Sequence, residues 1–273
     1  MTDVKTHLLD STFKLTRSGL EASPLKTRKT SNSDGLQVEA ARRPIQGKRV
    51  LLEKFSAEHA EYLHSIYKND DFWTSYRVNE NRTRTIEKVR KSLADESGFS
   101  PAQIKKCEWV IFRVNNGNKT PIGLAGLLDL VQGQRRAEFL IGIVNPDDRL
   151  HGLGLEASLC VFDFAFNWQK LNKLVSLIYS GNVSSQENTI ALGFSKEGEL
   201  RKHFRKNDSS EYLNINQNGM LREEFRKNDR LARLSERLLG RDITNAMTTE
   251  NRISNTEADK KSFGLHAKFE TKY

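Results

Sequence analysis

Cysteine is scarce: the 273 residues hold 2, Cys107 and Cys160, far apart and in no metal-ligand spacing. That excludes a disulfide framework and a cysteine-built zinc site, and it predicts two reduced thiols in a cytoplasmic protein. Long apolar runs are missing too. No stretch approaches the roughly 20 residues a membrane-spanning helix needs, and mean hydropathy is −0.63. The opening "MTDVKTHLLDSTFKLTRSGL" has no signal-peptide core, and the early Asp3 and Asp10 count against a transit peptide. His59 and His64 are five apart, so they do not share the helix face that a His-Glu-x-x-His zinc site requires. No metal, no membrane partner and no internal repeat are expected.

What is present is charge. Lys and Arg number 44 against 35 Asp and Glu, a formal net charge of +9. The excess is spread along the chain, so it favours small anions such as phosphates and does not point to nucleic acid. The length is ample for a buried core. Residues 1–46 hold few large apolar side chains after Leu20 and read as a basic, disordered tail, and 241–273 read as a second one. Between them lie one patterned domain, 47–227, and a C-terminal helix, 228–240.

Within the domain "RVLLEKF" is a strand. "SAEHAEYLHSIYKND" follows as a helix, with Ala60, Leu63, Ile66 and Tyr67 on one face and Ser56 as its N-cap. "TRTIEKVRKSLADESG" is a second helix, aligned on Ile86, Val89 and Leu93, with Gly98 past its end. "EWVIFRV", "TPIGLAGLLDLV" and "AEFLIGIV", joined by the turns "NNGN" and "QGQRR", are three antiparallel strands. "LEASLCVFDFAFNWQK" is apolar around most of its circumference, which predicts a deeply buried helix. "KLVSLIYS" is a strand, "SSQENTIALGF" a short helix closed by Gly193, and strands near 197–205 and 210–218 complete the sheet. In "NDRLARLSERLLG", Asp229 is placed to cap a last helix that buries Leu231, Leu234 and Leu238 and stops at Gly240. The fold class is α+β, with a strand–helix–strand unit in the middle.

The chemistry concentrates at "DDRLHGLGLEA", residues 147–157. Gly152, Gly154 and Ala157 spell G-x-G-x-x-A, one form of the dinucleotide fingerprint. Three features oppose that reading. Seven residues separate Val144 from Gly152, the preceding strand belongs to an antiparallel hairpin, and no acidic residue ends "KLVSLIYSGN" to hold a ribose. Read from Arg149 the stretch is R-x-x-G-x-G, and backbone N–H groups around Leu150–Leu155 would converge at the N-terminus of the buried helix. Exposed amides and the positive helix end favour a pyrophosphate there. Glycines at 152 and 154 allow close approach, and Arg149 would add a charged donor at the rim. The bland alternative is a plain glycine turn, and His151 reads better as a solvent-facing loop residue than as a catalytic one.

"AEFLIGIVNPDDRLHGLGLEASLCVFDFAF", "LNKLVSLIYSGNVSSQENTIALGFSKEGELRKHF" and "NGMLREEF" resemble, in order, the central and closing segments of the GCN5-related N-acetyltransferase (GNAT) superfamily, and most closely its branch of ribosomal-protein N-terminal, polyamine and amino-sugar acetyltransferases. The resemblance covers about residues 48–227. It implies a mixed, mostly antiparallel sheet flanked by helices, in which the family's fourth and fifth strands, here "LIGIV" and "LVSLIYS", splay into a wedge. It further implies acetyl-CoA as acyl donor, with pantetheine along the first of these strands. Ile143, Val144, Arg149, Leu150, His151, Gly152, Leu153, Gly154, Leu155, Asn182 and Ser185 would hold the cofactor. A backbone N–H near Val144 would face the thioester carbonyl and stabilise an oxyanion, and Gly142 would mark a bulge or a close backbone approach.

The same resemblance supplies candidate catalytic groups. Asn182 and Ser185 match an N-x-x-S that contacts pantetheine, and Ser185 would protonate the departing thiolate. The plain reading is that Asn182 ends a strand and Ser185 caps a helix. Relatives often carry a tyrosine acid four residues before the "GF" glycine, where this chain has Thr189. Glu138 would deprotonate the acceptor amine, directly or through water, although the adjoining Arg135 and Arg136 suit a surface ion pair as well. Tyr67, Phe72, Trp73 and Tyr76 are candidates for the acceptor pocket and, more commonly for aromatics near a helix end, for the core. The acceptor is a small amine or a protein N-terminus, and the protein a monomer or homodimer. The rival reading is a non-catalytic module that keeps this fold and uses its basic tails on nucleic acid or a ribosome.

Overall fold

A computed structural model describes residues 43–77, 82–97, 104–206 and 210–245. Among the described residues one eight-stranded sheet runs through the molecule. Its strands are β1 (Ile45–Gln46), β2 (Val50–Lys54), β3 (Cys107–Asn115), β4 (Asn118–Val131), β5 (Arg136–Ile143), β6 (Lys173–Tyr179), β7 (Ser195–Arg205) and β8 (Tyr212–Leu221). Their order is β1-β2-β3-β4-β5-β6-β8-β7, and every pairing is antiparallel except β5 with β6. The β3–β4 hairpin closes on Asn116 and Gly117, both at positive φ (49° and 82°), as a two-residue turn between right-twisted strands requires.

Helices cover both faces. On one lie α1 (Ala60–Ile66), α2 (Asp70–Tyr76) and α3 (Ile86–Ser97). Their apolar stripe of Leu63, Ile66, Phe72, Trp73, Val89 and Leu93 meets Val110, Phe112 and Leu124 of the sheet. On the other, after the single turn α4 (Pro146–Arg149), runs α5 (Leu153–Asp163), extended by one π-helical turn, Phe164–Trp168. Leu159, Val161, Phe162 and Phe166 there are fully buried, as a helix apolar all round must be. Truncating Phe162 to alanine would remove about 3–5 kcal/mol of stability. α6 (Val183–Ala191), α7 (Arg222–Arg226) and α8 (Asp229–Leu239) complete the molecule.

The boundaries differ from the sequence reading in instructive ways. Ile45–Gln46, expected in the tail, pairs with β2. Ile243, beyond the expected end, is buried because Asn167 and Arg226 hold its carbonyl. Residues 1–42 and 246–273 of the expected tails, and Gly98, lie outside the described residues. The last helix is capped by Asn228, whose side chain accepts from the Leu231 amide, while Asp229 is its first residue. Asn182 does the same for α6, which starts at Val183, one residue earlier than expected. Ser185 is therefore a first-turn residue and not the cap.

One feature of the topology positions the site. β5 and β6 pair only at Arg136–Lys173, Ala137–Leu174 and Glu138–Val175. Beyond Glu138 the two strands part, and the sheet opens into a wedge.

Candidate active site

Asparagine side chains cap α2, α4, α6 and α8, each accepting an amide of the first turn. The buried helix α5 is built otherwise. Its N-cap is Gly152, held at φ 69° in the left-handed region with no side chain to offer, so the amides of Leu153, Gly154 and Leu155 keep no intrahelical or capping partner. A Cβ on Gly154 would lie 3.3 Å from Ile143 Cγ1, which sets the bare helix end directly against the last residue of β5.

β5 presents a bare edge there. The Val144 amide donates to the Ile122 carbonyl at 2.9 Å, and strand alternation turns the polar groups of Ile141 and Ile143 the other way, into the wedge. The free amide sought near Val144 is thus that of Ile143. No bulge occurs within "LIGIV": its pairing to β4 is regular, and the irregularity lies at Leu128–Val131 of β4. Gly142 has a different reason. A Cβ there would stand 2.7 Å from both Phe72 and Tyr76, whose rings stack on each other beside the strand.

Around the loop, Arg149 folds back, its Nε donating to the Ile143 carbonyl at 3.0 Å and an outer nitrogen to Val144 at 3.5 Å. Its other N–H donors take no partner among the described residues. His151 is exposed and its Nδ1 donates to the Asp147 carbonyl at 2.8 Å, while the Leu150 side chain is 86% exposed. Two ion pairs fix the loop, and neither was foreseen from the sequence. Glu156, fully buried in the first turn of α5, accepts from the Arg49 amide at 2.7 Å and from Arg49 Nε at 3.1 Å. The same guanidinium donates to the His151 carbonyl at 3.1 Å. Asp148, also buried, pairs with Arg113 at 2.6 Å.

Glu138 sits where the wedge closes, and it takes no ion pair or hydrogen bond among the described residues. The expected pairing with a neighbouring arginine does not form, because Arg136 turns to Asp129 and Gln134 and Arg135 adopts the left-handed turn conformation. Burial pushes the Glu138 carboxyl up to about 7, with Arg77 pulling it down and Asp129 pushing it up. Across the gap, Asn182 Oδ1 accepts from the Ser185 amide at 3.2 Å, and the Ser185 hydroxyl has no partner among the described residues. Thr189, one helical turn on, is buried. The two cysteines are buried, and burial raises both thiols, that of Cys107 to about 11. No group of three His, Cys, Asp or Glu suited to a metal occurs among the described residues.

A half-open cavity of about 160 Å³ lies between the sheet and α1–α3. Tyr67, Trp73 and Tyr76 line it, so these three serve as both core and wall. Glu108 lines it too, 6% exposed, bound by Arg77 and Lys106 at 2.8 Å each. Burial pushes the Glu108 carboxyl up, but the two cations outweigh it and hold it below the usual carboxylate range.

The donor side suits an elongated, amide-bearing ligand that ends in a pyrophosphate. Bare helix amides and a strand edge whose Ile141 groups and Ile143 amide face away from β4 flank the open half of the wedge. Comparison with known proteins agrees. A family model described as an acetyltransferase (GNAT) domain matches residues 49–195, more than half the chain. The uncharacterized N-acetyltransferase YoaA of Bacillus subtilis is 25% identical over 173 residues, 63% of this chain and 93% of that protein. Spermidine N(1)-acetyltransferase of Escherichia coli is 35% identical over 82 residues, 30% of this chain and 44% of that protein. The crystal structure of spermidine N-acetyltransferase from Vibrio cholerae in complex with CoA and spermine has the same fold, with a TM-score of 0.56 at 18% identity over 64% of this chain and 97% of that one.

Proposed function

The chain belongs to the GNAT acetyltransferase family, and on that premise we propose that it acetylates the primary amine of a small molecule by direct attack on acetyl-CoA. The observation that carries this reading is the uncapped start of α5 set against the bare edge of β5. Helix amides at Leu153–Leu155 bind the pyrophosphate, with Arg149 at the rim. The polar groups of Ile141 orient the pantetheine arm as an added strand would lie, and the Ile143 amide is the donor for the thioester oxygen. Acetyl-CoA supplies the activated thioester.

Glu138 takes the proton from the acceptor ammonium. Its raised pKa matches the task, since a base that titrates near neutrality is both largely ionised and strong enough to accept. As the N–C bond forms and the C–S bond breaks, the Ser185 hydroxyl gives its proton to the departing sulfur and regains one from the nitrogen, which sheds its second proton as it becomes the amide. Threonine at position 189 offers no phenol for that step. Thiol release from acetyl-CoA across a panel of primary amines tests the reading. Amine-dependent release well above the hydrolytic background is the expected result. Release that no amine stimulates would refute it. Among the described residues no helix is long and apolar enough to cross a membrane.

A further inference from the structure

The short helix α6 is built inside out. Its apolar Val183 and Ile190 are 61% and 44% exposed. Ser185, Gln186 and Thr189 share the opposite face, since Thr189 stands four residues beyond the first and three beyond the second. Thr189 is buried, and the other two are half-buried. Apolar burial does hold the far end of the helix, where Leu192 packs against the core and Phe194 is part of it. The first turn, which carries Ser185, needs a different anchor.

That anchor is a closed pair of amides. Gln186 Nε2 donates to Asn218 Oδ1 at 2.7 Å, and Asn218 Nδ2 donates back to Gln186 Oε1 at 3.1 Å. Asn218 is fully buried on β8, where an amide left without partners is costly. Its Nδ2 also reaches the Ser176 carbonyl at 3.2 Å, and Asn218 stands opposite Ser176 in the β6–β8 register. Ser176 directly follows Val175, the last β6 residue paired with β5, and the partner of Val175 is Glu138. The amide pair therefore ties the turn bearing Ser185 to the wall of the wedge where it opens, one residue beyond the partner of Glu138.

We infer that Gln186 and Asn218 are positioning residues for acetyl transfer: their amide pair fixes the first turn of α6, and with it the Ser185 hydroxyl, relative to Glu138. The inference rests on the acetyl-transfer reading above, in which Ser185 protonates the departing sulfur, and it names the side chains that hold that hydroxyl in place. A hydroxyl on a loosely held turn loses the alignment that proton transfer requires. Acetyl-CoA, bound by peptide groups of β5 and α5, stays bound when the pair is broken.

A double-mutant cycle on kcat tests it, read as thiol release from acetyl-CoA with the fastest acceptor in the primary-amine panel, spermidine included. Gln186→Met keeps the length of the side chain and removes both hydrogen bonds. It should lower kcat at least about tenfold and leave the Kd for acetyl-CoA, by calorimetry, within about threefold. Ser185→Ala should lower kcat at least as much. Adding Gln186→Met to Ser185→Ala should then change kcat by less than about twofold, because a side chain that acts through Ser185 has nothing left to position. A wild-type kcat in Gln186→Met, the full loss repeated in the Ser185→Ala background, or lost acetyl-CoA binding would each overturn the positioning role and leave acetyl transfer standing. Ser185→Ala with a wild-type kcat overturns Ser185 as the acid, and the positioning role with it. No amine turned over by the wild type overturns acetyl transfer itself.

Discussion

The two sides of the site are made of different material. The donor side is backbone: a glycine in the left-handed region, three uncapped amides and an unpaired strand edge. The other side, the cavity under α1–α3, is side chain: Arg77, Glu96, Lys106 and Glu108 line it and pair with one another beside the rings of Tyr67, Trp73 and Tyr76. Backbone recognition fixes a constant ligand, because every residue offers the same N–H and C=O. Side-chain recognition can be redrawn without moving the sheet. One scaffold can therefore keep its acyl donor and change its amine.

Breaking the donor side has the largest expected effect. Gly154→Glu places a carboxylate in the notch beside Ile143, among amides that await an anion. Acetyl-CoA affinity should fall about a thousandfold, or ~4 kcal/mol, by calorimetry. Affinity within tenfold of wild type would mean that the phosphates lie elsewhere.

Removing the base at the junction of the two sides comes next. Glu138→Gln should lower kcat about a hundredfold and leave acetyl-CoA binding intact. The wild-type rate should rise with pH through about 7 and then level off, because only the ionised carboxylate accepts a proton. The stability effect has the opposite sign. A carboxyl whose pKa is raised by folding holds more protons folded than unfolded between about 4.5 and 7, so stability falls as pH rises through that window. The glutamine variant should escape that loss, at most about 3 kcal/mol, in melts compared at pH 5 and pH 8. Equal pH–rate profiles for the two proteins would remove Glu138 from the chemistry.

The smallest effect on turnover concerns what holds the donor side in place. Arg49→Met leaves Glu156 buried without its cation and the His151 carbonyl without its donor. KM for acetyl-CoA should rise about tenfold while kcat stays within about twofold, and stability should drop by ~3 kcal/mol. A fall in kcat with KM unchanged would show that Arg49 acts on the acceptor side instead.

Much of the donor side was legible in the sequence, because glycine spacing and apolar periodicity are local signals. Gly152, Gly154 and the all-round apolar run after them announced a buried helix with a bare start, and the turns "NNGN" and "QGQRR" announced the hairpins. The misreadings also have local causes. Asn228 and Asp229 are both good caps, and only the chain path selects between them. Gly142 read as a bulge or a close backbone approach, and nothing near it in sequence reveals that the rings of Phe72 and Tyr76 are what comes close. The Arg49–Glu156 and Arg113–Asp148 pairs join positions 107 and 35 residues apart, and the cavity under α1–α3 gathers residues from 55 to 124. No spacing rule connects such positions before the sheet register is known. A buried glutamate at the start of an apolar helix was the one available hint, since a charge in that place demands a partner.

The central claim is that acetyl-CoA binds to peptide groups where the wedge meets the start of α5. Amide-resolved hydrogen exchange with saturating acetyl-CoA tests it most directly. The account predicts at least tenfold slower exchange at Ile141, Ile143, Leu153, Gly154 and Leu155, with the β7 edge unchanged. Exchange unaltered at those five amides while acetyl-CoA is demonstrably bound would contradict it.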